Sequence, residues 1–247
     1  MMTNRIDGPV ETWRGIDPEW AECGGLSYTN LLVRAPCGEV VQELLKDRQT
    51  PKQVADLLEG SPAGPLRNKL AYVYQLRGHD WTQVEASGEL ALGPDTAQNL
   101  SLRLGTQAFI YDWEDVASAL YYQIFEHGEL VEAFSMFYNN PIYQGEEGEN
   151  DLHQKRAEGW QISDDHTFEF FTRRGTTLDV ESPKECHALL ERVVASLGMF
   201  VASQPFWFNE RLGRVECPQQ WNSDVFAEAK VLYHAGTEEL HNRHGRR

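Results

Sequence analysis

The segment 120–136 constrains the fold of this chain more than any other stretch. Two runs of aromatic and aliphatic residues flank His127-Gly128, a pair that can take the positive φ angles of a two-residue type I′ turn. With that turn, Phe125 faces Leu130 and Tyr121 faces Phe134 on one side, while Ile124 faces Val131 and Tyr122 faces Ala133 on the other. Both faces are partly apolar. A hairpin of this kind belongs inside a sheet that is covered, at least in part, on both sides.

Helix punctuation surrounds this hairpin. Thr50-Pro51-Lys52-Gln53 aligns a capping Thr, a first-turn Pro and a reach-back Gln; Val54, Leu57 and Leu58 then form an apolar stripe, and Gly60 supplies a stop. Ser182-Pro183-Lys184-Glu185 repeats the device before Leu189, Leu190, Val193, Val194 and Leu197, with Gly198 as the stop. A third helix is predicted from Asp95, with Gln98 three residues on, through Leu100 and Leu104 to Gly105; a fourth starts near Pro36 and carries Val40, Val41, Leu44 and Leu45. Strand-like runs occupy 28–34, 72–76, 109–113 and 167–173. The polar stretch 144–151 has no apolar residue and reads as an exposed acidic loop.

Helices separated by consecutive strands predict an α+β fold, with helices packed on a mainly antiparallel sheet. The core domain is read as 22–200. The remainder, 201–247, is read as a C-terminal extension with one helix, capped near Asn222 or Ser223 and running to about Tyr233, and a frayed basic tail.

Charge narrows the function. Against 38 Asp and Glu stand 22 Lys and Arg, a net charge of −16 that repels nucleic-acid phosphates and anionic lipid and attracts basic proteins. Apolar runs are too short for a membrane span, and the acidic first twenty residues lack the apolar core of a secretory signal. Cys23, Cys37, Cys186 and Cys217 form no C-x-x-C pair and read as free, mostly buried thiols of a cytoplasmic protein, a Cys23–Cys37 bridge being allowed but not required.

Local strings that could carry chemistry are few. In Arg77-Gly78-His79-Asp80-Trp81, Gly78 marks a bulge or close backbone approach, His79 and Asp80 suggest a base with its orienting acid, and Arg77 an anion anchor. The structural alternative is a kinked strand whose Trp81 packs in the core. Asp112 and Glu114, ahead of Asp115, share one strand face and could serve as a ligand or acid/base pair; in a chain with 38 acids they read more simply as an acidic loop at a sheet end. Asp164, Asp165 and His166, and the group Glu126, His127 and Glu129, offer metal-type donors but read more simply as solvated turns. Phe206, Trp207 and Phe208 form either a partner anchor or the end of the core.

Nucleophile elbows, phosphate loops and metal-ligand spacings are missing, so no catalytic residue, metal or cofactor is assigned. The expectation is a non-enzymatic interaction protein that binds a basic protein, in the manner of an immunity protein, an antitoxin or an adaptor, with homo-oligomerisation as a further route. The alternative is an enzyme or a small-ligand or metal-binding protein with its site near Arg77, His79, Asp80 and Asp112.

Overall fold

The computed structural model describes residues 9–17, 28–46, 52–60, 70–87, 92–114, 119–136, 145–163, 168–178, 186–202, 205–209, 214–217, 221 and 223–233. Along the chain these form β1 (Gly15–Ile16), β2 (Tyr28–Val33), α1 (Cys37–Leu44), β3 (Gln53–Asp56), β4 (Leu70–Leu76), β5 (Thr82–Ser87), α2 (Pro94–Leu104), β6 (Gln107–Glu114) and β7 (Ala119–Glu126). There follow β8 (Glu129–Met136), α3 (Gly145–Ala157), β9 (Gln161–Ile162), β10 (Phe168–Thr172), α4 (Cys186–Ser196), β11 (Phe200–Val201), β12 (Trp207–Asn209), β13 (Arg214–Glu216) and β14 (Phe226–Tyr233). Ten strands join in one sheet, in the order β3-β14-β4-β5-β2-β6-β7-β8-β10-β9, with every pairing antiparallel. The fold is α+β, as the element order predicts.

The β7–β8 hairpin turns where expected, with φ of 51° at His127 and 84° at Gly128. Its register departs from the simple ladder. Phe125 pairs with Leu130, but a bulge then leaves Val131 unpaired, so Ile124 faces Glu132 and Tyr122 faces Phe134. One extra residue on one strand exchanges the faces of everything beyond it. Phe134 thereby joins Tyr122 in a stack with centroids 5.8 Å apart, instead of lying opposite Tyr121.

Both faces of the sheet are covered. Leu32, Phe109, Tyr122, Phe134 and Phe170, from five neighbouring strands, cluster with Leu190, Val193 and Val194 of α4. On the other face Leu31, Val33, Val73, Val84 and Ile110 cluster with Val40, Val41 and Leu44 of α1 and with Leu100 of α2. A third cluster joins Tyr72 and Tyr74 of β4 and Phe226 and Val231 of β14 to Phe200, Phe206 and Trp221. Burying each such large side chain contributes roughly 1.5–3 kcal/mol against the entropy of ordering the chain.

Three helices follow the sequence reading: α1 is capped at the expected Pro36, and Ser182 to Glu185, the supposed start of α4, fall outside the described residues. Val40, Val41, Leu44, Leu189, Leu190, Val193 and Val194 are buried as the stripes predict. In α2, however, Gly93 takes the cap position and Pro94 opens the helix, and Gln98 donates to the Gly128 carbonyl at 2.9 Å instead of reaching back toward Asp95. Gly105 closes that helix in the left-handed conformation.

Two predicted helices are strands. Val54 lies in β3, which pairs with β14 through Val54 and Leu232 and through Asp56 and Lys230, while Thr50 and Pro51 of the supposed cap fall outside the described residues. The stretch 226–233 is β14, entered through a 3₁₀ turn at Ser223–Val225, and it occupies an interior position between β3 and β4. Val231 and Leu232 are buried in different clusters, which a strand between two neighbours achieves and a surface helix does not. The basic tail lies outside the described residues.

The stretch 144–151, read as a loop, belongs largely to α3. Acids precede Lys155 and Arg156 of its last turn, an order that suits the helix dipole, and Lys155 Nζ reaches Glu169 Oε2 at 2.7 Å. Cys37 carries a free, buried thiol, which corrects the Cys23–Cys37 bridge; burial chiefly pushes its pKa up to about 12. Cys217 is free and exposed. Among the described residues no helix is long and apolar enough to cross a membrane.

Candidate functional site

Four connections converge at one end of the sheet because the strand registers end flush. Val33 faces both Thr82 and Ala108, and Gln107 faces Glu126. This brings together the β2–α1 junction, the β4–β5 turn, the α2–β6 turn and the tip of the β7–β8 hairpin. Side chain and backbone lock them: Thr106 Oγ1 donates to Arg34 O at 2.7 Å, His127 N to Thr106 O at 3.0 Å and Gly128 N to Ser101 Oγ at 3.1 Å.

Between them lies an open cleft of about 590 Å³ lined by Arg34, Gln75, Asp80, Gln107, Glu126 and His127. Arg34 Nη2 stands 3.6 Å from Asp80 Oδ2, its Nη1 donates to Gln107 Oε1 at 3.4 Å, and Gln107 Nε2 donates on to Glu126 Oε1. A smaller hollow of about 140 Å³ opens on the other side of this ion pair, lined in part by Arg14, Arg34, Gly78, His79, Asp80 and Gly198.

The segment 77–81 is the link of a β4–β5 hairpin, not a kink within one strand. Gly78 does mark a close approach. It has φ of 76°, and a Cβ there would stand 2.4 Å from Glu11 Cβ. Gly78→Ala is therefore expected to lower unfolding free energy by roughly 2–4 kcal/mol, through backbone strain and collision with the N-terminal segment. An unchanged melting temperature for that variant would contradict the packing described.

His79 and Asp80 turn to different partners and do not form a base with its orienting acid, although the Asp80 charge acts to raise the His79 pKa. His79 is buried and its Nε2–H donates to Val10 O at 2.7 Å, whereas Asp80 is exposed and turns toward Arg34. Burial, with the Arg14 charge, holds the His79 pKa below its ordinary value, against the raising effect of the Val10 bond. Arg77 is exposed, and Trp81 packs in the core with its Nε1 donating to Leu197 O at 3.2 Å.

Asp112 faces Thr29, four residues along from the Val33–Ala108 pair. That spacing places it about 14 Å further down the sheet. Glu114 lies further still, its side chain outside the described residues. The turn and the two carboxylates are thus at different ends and make no common site. Phe206 is a core residue, 5.1 Å from Phe226 and 5.6 Å from Tyr74 by ring centroids. Trp207 and Phe208 lie in β12, paired with β13, with side chains outside the described residues, as are Asp115, Asp164, Asp165 and His166 altogether. No group of three or more His, Cys, Asp and Glu suited to a metal occurs among the described residues.

A polar group that the sequence reading missed lies in the middle of the sheet. Tyr72, Glu85, Asn30 and Tyr111 stand in one row across β4, β5, β2 and β6, with Tyr74 and Gln83 in the row beside it. Tyr74 Oη donates to Glu85 Oε1, Asn30 Nδ2 to Tyr111 Oη at 2.9 Å, and Gln83 Nε2 to Glu85 Oε1 at 3.2 Å. Gln83 also accepts from Ala202 N at 3.2 Å, tying the end of β11 to the row. Burial raises Glu85 to about 8, and the Tyr74 bond opposes that rise. The signal was present in Thr82-Gln83-Val84-Glu85-Ala86-Ser87, an alternating strand pattern between two tyrosine-rich runs.

Compared with known protein families, curated proteins and solved structures, the chain matches none. The chemistry must be read from the side chains. The loop end can bind polar or charged groups, and Glu85 can hold a proton near neutral pH. Glu132, also buried, is instead saturated by the hydroxyls of Tyr122, Thr172 and Thr176.

Proposed function

We propose that this chain is a cytoplasmic binding protein that engages a basic protein partner, as an immunity protein, antitoxin or adaptor would. The observation that carries this reading is the net charge of −16. Its apolar surface supports the same view: among the described residues the exposed large hydrophobic side chains are Val54, Leu58 and Leu102. A surface so composed recruits partners by long-range attraction more than by apolar contact.

The immobilised chain is expected to retain a basic partner at about 50 mM salt and to lose it at about 500 mM, because screening shortens the reach of surface charge. A partner that is not basic, or retention indifferent to salt, overturns the proposal. The 590 Å³ cleft favours a second reading, that of a small-ligand-binding protein. There Arg34→Gln would abolish thermal stabilisation by the ligand and leave capture of a basic protein intact.

A further inference from the structure

The 140 Å³ hollow lies where the N-terminal segment, the β4–β5 turn and the end of α4 meet. Two guanidinium groups line it, in a chain where acids greatly outnumber bases. Arg14 is anchored through Nη1, which donates to Glu11 O at 2.9 Å and to Trp13 O at 2.6 Å. Its Nε and Nη2 donors have no partner among the described residues. Arg34 is also lightly engaged: its contact with Asp80, at 3.6 Å, exceeds hydrogen-bond length, and its bond to Gln107 is long at 3.4 Å.

Two like charges around one small hollow repel each other; Asp80, with its side chain 77% exposed, faces Arg34, and Glu11 of the N-terminal segment is the other acid near the wall. An anion between the two arginines would remove that repulsion and take up the unused N–H donors in the forked geometry that guanidinium offers to oxyanions. Gly198 leaves part of the wall as bare backbone, with Arg14 Nε 3.9 Å from where a Cβ would stand, so a ligand can approach closely there. His79 adds a protonatable wall. Because its Nε2–H is committed to Val10 O, a proton gained by the ring goes to Nδ1 and makes it a donor.

We propose that this hollow binds a small oxyanion, a phosphate or carboxylate group, between the guanidinium groups of Arg14 and Arg34. The site is independent of the basic-partner reading and needs no protein partner to be tested. The charged groups around His79 are Arg14 and Glu11 from the N-terminal segment and Asp80 from its own turn, with Arg34 across the hollow. An anion offsets the arginine charge that helps to keep the ring neutral. Binding therefore draws a proton onto His79, and affinity rises as pH falls.

The test is an NMR titration of the full chain at low ionic strength, with inorganic phosphate in one arm and acetate in the other. Amide signals of Gly78 and Gly198 and the ring signals of His79 are followed. Saturable shifts with an upward move of the His79 midpoint are expected, and the arm that saturates identifies the anion class. Arg34→Gln is expected to weaken binding about tenfold or more. Arg14→Gln should do the same, and Arg34→Gln stands alone should Arg14→Gln fail to fold. Arg77→Gln, which removes a charge outside the hollow, should leave affinity unchanged. No saturation by about 20 mM of either anion overturns the proposal, as does equal weakening by Arg77→Gln.

Discussion

Glu85→Gln is expected to match the parent in unfolding free energy at about pH 4 and to exceed it by roughly 3–5 kcal/mol at about pH 9. Glu85 is buried among Tyr74, Tyr111, Asn30 and Gln83, and its pKa in the folded chain is raised to about 8 from 4.5, chiefly by burial. Below the unfolded value both states carry the proton and the group does not disturb folding. Between the two values the folded state keeps a proton that the unfolded state releases, so stability falls as pH rises. Above about 8 the loss is complete. Glutamine accepts from Tyr74 and Gln83 as the acid does and has no charge to bury, which removes this pH dependence. Urea unfolding of both proteins across the range decides the matter. An equal gap at low and high pH would mean that Glu85 is already ionised in the folded chain.

Phe134→Ala is expected to cost roughly 3–5 kcal/mol, measured by the same unfolding experiment. Its ring is fully buried, stacks on Tyr122 at 5.8 Å and lies 6.4 Å from Phe168 by centroids. The direction in which the damage travels tests the bulge at Val131. In the observed register Phe134 belongs to the cluster containing α4, so native-state hydrogen exchange in Leu190–Val194 should quicken more than in α1 or α2. A ladder without the bulge would place the ring on the α1–α2 face and reverse that order. Faster exchange confined to α1 and α2 would refute the register.

The loop-end site was only half legible. Arg77, His79 and Asp80 attract notice as a string, yet beside His79 and Asp80 the cleft and hollow are lined by Arg14, Arg34, Gln107, Glu126 and His127, drawn from separate elements, and Arg77 is not among them. No spacing rule links Arg14 to Arg34 or to His79, because the N-terminal segment meets the turn only through packing: Gly78 against Glu11 and His79 against Val10. Asp112 looked near in sequence to other acids and proved distant from the turn, since a strand carries each residue about 3.4 Å further along.

Local patterns decided what is local. The His127-Gly128 turn, the left-handed stop at Gly105 and the buried stripe of α4 follow from dihedral preference and 3.6-residue periodicity, which act within a few residues. The tertiary structure decided the rest. The apolar spacings in 50–60 and 223–233 suit a helix in isolation, but β3 and β14 find backbone partners in the sheet, and β14 buries both faces there. One unpaired residue at Val131 chose the face that Phe134 occupies, and cross-strand alignment assembled Glu85, Asn30, Tyr74 and Tyr111 into one buried polar group. Hydrogen-bond pairing and desolvation between distant segments set these outcomes, and neither is encoded within a short window of the chain.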